Sequence, residues 1–139
     1  MTKPANRSQL MGRLGAKQLN TVWSWCAVNE AERKVYLSVW TDHIHQGNDG
    51  IHYVLQQPHW GLDDTTGKSK AARNDQDKKL SLVFDKGYEA YGYFIVAKNI
   101  TAIPREIAET RTSFVMRLEL TRAADGTVLG KPIARIDVR

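Results

Sequence analysis

The chain has 139 residues, the size of one ordinary domain and long enough to bury a core without disulfides or metals. Hydrophobic residues make up 42% and charged residues 25%, which excludes wholesale disorder, and 20 Lys plus Arg against 15 Asp plus Glu favour a polyanionic partner. No apolar run approaches the roughly 18 residues of a membrane span, and no apolar core of a signal peptide follows the basic start, so a cytoplasmic protein without a membrane partner is expected.

Residues 1–6 read as a disordered start. Residues 7–16 read as a short helix with Leu10, Met11 and Leu14 on one side, weakened by Gly12 and Gly15. The first 20 residues carry Lys3, Arg7, Arg13 and Lys17 and no acid. Residues 1–20 are therefore expected to form a basic N-terminal segment, and residues 21–139 a single α+β domain. Residues 21–29 are rich in β-formers, and a strand there puts Trp23 and Trp25 on one face. After a turn, residues 34–41 alternate, with Val35, Leu37 and Val39 on one face and Tyr36 and Trp40 on the other. The two runs predict a β-hairpin. Residues 47–50 (GNDG) mark a turn and residues 52–56 a third strand. Residues 57–73 form a long polar loop of the kind that carries function.

The best helix runs over residues 74–86. Asn74 is placed to cap it, Asp75 and Asp77 complement its positive end, and Leu80, Val83 and Phe84 give an apolar stripe. Lys86 suits the C-terminal end of the dipole and Gly87 the left-handed stop. Residues 88–98 predict a long central strand, and Pro104 a break. Residues 112–121 alternate Phe114, Met116, Leu118 and Leu120 with Ser113, Val115, Arg117 and Glu119, a half-buried strand. A turn at residues 124–127 contains Asp-Gly. Residues 128–138 return as the last strand, bent or placed at an edge by Pro132. This order predicts an α+β fold: a strongly curved mixed sheet or partial β-barrel, with one main helix and a short N-terminal helix. The regular alternation of a βαβ nucleotide fold is missing.

No catalytic centre can be read from the residues. The GKS at residues 67–69 lacks the glycine a phosphate loop needs at position 62, which is Leu62. His43 and His45 share a strand face, but with His52 and His59 they match no zinc spacing. Cys26, the only cysteine, reads as a buried inert thiol. Asp63 and Asp64 are adjacent and read as solvated turn residues. Neither an enzyme, a metal nor a cofactor is expected. A histidine beside a carboxylate in a pocket is the observation that favours a small enzyme.

The aromatic residues are the strongest signal. Trp23, Trp25, Trp40 and Trp60 all fall in one stretch of the chain. If the hairpin pairs in register, Trp23, Trp25 and Trp40 wall one pocket, as stacking on an extruded base requires. Asp42 is placed to read the base edge. Lys68, Lys70, Arg73, Lys78 and Lys79 are placed to hold flanking phosphates. Tryptophans at strand spacing are equally the mark of a plain core.

The motifs W-S-W at residues 23–25, V-W-T-D at 39–42, G-Y-E-A-Y-G at 87–92, A-K-N at 97–99 and P-R-E-I at 104–107 resemble those of small domains found beside HNH nucleases in restriction-type proteins. More loosely, they resemble PUA-like modified-base readers of the EVE and YTH type. The resemblance covers residues 21–138. It implies a curved sheet whose aromatic pocket holds a flipped methylated base, with Trp23, Trp25 and Trp40 as pocket residues and Asp42 as edge reader. The chain lacks the His-Asn-His site and cysteine pairs of an HNH domain, so a nuclease, if one belongs to the system, lies on another chain. The resulting expectation is a nucleic-acid-binding domain, reading DNA or RNA, with recognition of a modified base in DNA as its finer form. The rival is a protein-interaction module, a phage-type inhibitor or assembly subunit, using the same aromatic surface.

Overall fold

The computed structural model describes residues 7–17, 26–47, 50–60, 70–101 and 107–138. The sheet begins with the hairpin of β1 (Cys26–Asn29) and β2 (Lys34–Trp40), paired antiparallel with Cys26 opposite Leu37. Strand β5 (Glu89–Ala97) runs parallel to β2 along its whole length, from Lys34 opposite Glu89 to Trp40 opposite Ile95. A parallel pair is normally covered on both faces, and both strands are accordingly apolar or aromatic at nearly every position.

Alternation splits these side chains between two cores. On one face Val35, Leu37, Val39, Ala90 and Phe94 meet Leu80 of α2 (Ala71–Lys86). On the other, Tyr36, Tyr91, Tyr93 and Ile95 meet Leu10 and Met11 of α1 (Arg7–Leu14). Tyr36 and Tyr91 stack across the strands with centroids 5.3 Å apart. The short N-terminal helix is thus a packed layer of the fold, for Leu10 is wholly buried.

The remaining strands extend the sheet. They are β3 (Ile44–Gly47), β4 (Gly50–Gln56), β6 (Ile107–Thr110), β7 (Phe114–Arg122) and β8 (Val128–Asp137). The ladder runs β1-β2-β5-β7-β8-β4-β3, with β6 paired to the end of β5. Strand β4 packs against β2 although three strands separate them in the ladder, so the sheet curls back on itself. It is not closed into a barrel: β1 and β3 remain its two ends. The fold is therefore α+β with an open, mixed, eight-stranded sheet. The Asp-Gly turn joins β7 to β8 with Gly126 at φ 94°, and the register shifts between Arg117 and Leu118, next to Pro132, whose ring cannot donate to the ladder.

Two expectations about local structure are corrected. Helix α2 starts at Ala71, with Lys70 at the N-cap, so Asn74 lies inside it and donates its N–H to the Lys70 carbonyl at 3.0 Å. Ala71, Ala72 and Arg73 are good helix formers, and they carry the helix one turn earlier than a polar cap would mark it. Its end is as expected, at Gly87 with φ 75°, donating to the Leu82 carbonyl. Strand β6 was not anticipated and β3 only through the strand face given to His43 and His45; both are four residues long and largely exposed, and neither carries an apolar alternation. The start at residues 1–6, the strand over residues 21–25, Asp63 and Asp64, the GKS at 67–69 and the break at Pro104 lie outside the described residues.

Candidate nucleic-acid interface

The C-terminal end of β2 presents Trp40 on the face that carries Tyr36. Trp40 is half-buried and packs against the second core. The chain then turns sharply. Thr41 donates its N–H to the Ile95 carbonyl at 3.2 Å, which ties the turn to β5. His43 donates its N–H to the Trp40 carbonyl at 3.2 Å, and its own carbonyl accepts from Val54 of β4 at 2.9 Å. Both backbone groups of His43 are therefore held, one by the end of β2 and the other by β4.

Into this corner comes Trp60. The turn after β4 closes with the Trp60 N–H donating to the Gln57 carbonyl at 3.1 Å. The Trp60 ring lies 5.0 Å from His43, tilted by 37°, and the Trp40 ring meets His43 edge-on at 6.4 Å. Asp42 stands at the side, with a carboxylate oxygen 3.9 Å from His43 Nε2. The result is a half-exposed cluster of Trp40, His43 and Trp60 with a carboxylate at its rim. His43 sits beside both indoles, between Trp40 and Trp60. The edge-on arrangement of Trp40 and His43 matches the ring electrostatics of aromatic groups.

Arg73 approaches the cluster from α2. Its Nη1 donates to the Pro58 and Trp60 carbonyls at 2.9 and 2.8 Å, and its Nε meets both oxygens of Asp77 at 3.1 and 3.2 Å. Lys70 is exposed at the N-cap of the same helix, and its own side chain makes no capping hydrogen bond. The first turn of a helix is electropositive, and a lysine there adds to it. Of the expected site, the structure thus brings together Trp40 and Asp42, with Lys70 and Arg73 on the adjoining helix. Trp23, Trp25 and Lys68 lie outside the described residues. Lys78 is exposed on α2, whereas Lys79 turns inward.

Lys79 belongs to a second, buried group. Its Nζ lies 2.8 Å from Asp75, whose side chain is completely enclosed, and the Cys26 thiol donates to the same carboxylate at 3.5 Å. Burial, reinforced by the negative Asp75, pushes the Cys26 thiol far up from its ordinary range. This keeps it protonated, as a donor rather than a nucleophile. An open depression of about 470 Å³ beside Lys79 is lined by Lys17, Asn29 and Glu30 but carries no aromatic side chain. Among the described residues no cluster of His, Cys, Asp and Glu has the form of a metal site.

His43 and Trp60 are the site residues that sequence spacing does not assign. Trp60 is one of the four tryptophans, but it stands twenty positions beyond Trp40, and only the curl of the sheet brings β4 beside β2. His43 reads as a strand residue sharing a face with His45, whereas it lies in the turn before β3. Comparison with protein-family models, with curated proteins and with solved structures finds no match to this chain.

Proposed function

We propose that this protein is a nucleic-acid-binding domain that stacks a base on the Trp40–His43–Trp60 cluster. The observation that carries the reading is the half-exposed aromatic corner with Asp42 at its rim and the basic start of α2 beside it. Indole faces accept any base, and an acceptor at the rim distinguishes a base edge that donates. Phosphates flanking the base meet Lys70 and the positive end of α2. In its finer form the domain is PUA-like and holds a modified base in DNA, in a system whose nuclease is on another chain.

The test is a titration of tryptophan emission with methylated and unmethylated DNA of one sequence at two salt concentrations. The proposal expects quenching, an affinity that falls steeply with salt, and a loss of about 1–3 kcal/mol on Trp40→Ala or Trp60→Ala. Tighter binding of the methylated strand supports the finer form. Absence of binding at low salt removes the proposal.

One observation favours a protein-interaction module instead. Ile44 and Ile51 are both about half exposed on one face of the β3–β4 hairpin, together with Tyr53. Salt-insensitive self-association in sedimentation, abolished by Ile51→Lys, selects that reading.

A further inference from the structure

We infer that Arg73 is a positioning residue, which fixes Trp60 as one wall of the aromatic cluster rather than contacting phosphate. The inference rests on the nucleic-acid reading of the cluster. The guanidinium joins three parts of the fold. Its Nη1 donates to the carbonyls of Pro58 and Trp60, 2.9 and 2.8 Å away. Its Nε is held on Asp77, one helical turn along α2, at 3.1 and 3.2 Å. Asp77 in turn accepts from Gln56 Nε2 at 3.0 Å, and Gln56 Oε1 accepts from Nε2 of the buried Gln76 at 2.9 Å. A continuous polar chain therefore runs from the interior of the fold, through the end of β4, to the backbone of Trp60.

This arrangement constrains Trp60 on both sides. Its N–H is bonded to Gln57 and its carbonyl to Arg73, so the indole has a fixed root from which to reach His43. Arg73 is only 15% exposed, and three of its five N–H groups are engaged. Lysine cannot take over this role. A single ammonium lacks the planar fork that meets a carboxylate and two carbonyls at once.

The experiment labels the four tryptophans with fluorotryptophan, assigns Trp60 with Trp60→Phe, and follows the fluorine NMR spectrum without nucleic acid. Arg73→Met and Arg73→Lys are expected to shift or broaden the Trp60 resonance alike, while Lys70→Ala leaves it in place. In titrations with single-stranded DNA across a salt series, Arg73→Met is expected to lower affinity roughly five- to 150-fold. The slope of log affinity against log salt is expected to stay unchanged, whereas loss of a phosphate contact lowers it by about 1. A Trp60 resonance unmoved in Arg73→Met overturns the inference, and so does full rescue by lysine or a reduced salt slope. A shifted Trp60 resonance in a protein that binds no DNA upholds the clamp and overturns the nucleic-acid reading instead.

Discussion

Asp75 illustrates how a single side chain can be misread from sequence. Near the start of a helix it reads as a dipole-complementing surface acid, yet it is buried, held by Lys79 at 2.8 Å and by the Cys26 thiol. The buried face of α2 runs through Ala72, Asp75, Gln76 and Leu80, so half of it is polar and an apolar stripe alone cannot trace it. A carboxylate enclosed in this way is stable only while its partner remains. Lys79→Met is predicted to cost about 3–5 kcal/mol, because the carboxylate is left with a weak thiol donor. Urea unfolding measures the loss. Adding Asp75→Leu to Lys79→Met is predicted to recover most of it, and a double variant as unstable as the single one contradicts the pairing. Arg73 and Trp60 teach a related lesson. A cation in a polar loop reads as a phosphate contact, and only coordinates reveal that backbone carbonyls engage it.

Among the elements, β2 and β5 were the most legible, since their alternation and length survive into the structure almost unchanged. Their parallel pairing was not, because it depends on β3, β4 and α2 intervening between them. Gly92 explains how closely these strands pack: a methyl group added there meets Val39 at 2.6 Å and Leu118 at 2.9 Å. Val39 is stiff at its first torsion and Leu118 is buried, so neither side chain yields easily. Gly92→Ala is predicted to destabilise the protein by about 1–3 kcal/mol, despite the better strand propensity of alanine. An alanine variant that melts at or above the wild-type temperature contradicts this packing. The aromatic corner is an element-level property too. Alternation assigns Trp40 to its face, but His43 and Trp60 reach it only through the turn after β2 and the turn after β4.

At the level of the whole molecule, the two helices cover opposite faces of a curled sheet and leave one aromatic corner half-exposed. None of its described helices is long and apolar enough to cross a membrane. The cores contain groups that resist ionisation. Burial pushes Tyr93 and Tyr36 up to about 12, and pushes Cys26 upward for the same reason. Each of these folded values lies above its ordinary value, 9.0 for the thiol and 10.0 for the phenols. Their contribution to stability is therefore complete below those values and is lost as the pH rises through the folded ones. Thermal melts are predicted to show no loss from these groups up to about pH 9, and then a fall that steepens toward about pH 12. A melting temperature still level at about pH 11 contradicts the burial of these hydroxyls.

The α+β class, the mixed sheet, the short N-terminal helix and the left-handed stop at Gly87 were all legible, because each follows from local periodicity or a special backbone position. Of the candidate corner, only Trp40 and Asp42 were legible, which one strand and its following turn supply. The rest depends on which strands the curved sheet brings side by side, which no local pattern specifies.

The measurement that tests the central claim most directly is a nitrogen–proton correlation spectrum of the indole N–H groups during titration with a short DNA strand. The account predicts that the resonances of Trp40 and Trp60 move together and saturate at one affinity, with the backbone of Asp42 and His43 moving alongside. Shifts confined to the exposed lysines, with both indoles unmoved at saturation, contradict a stacking site at this corner.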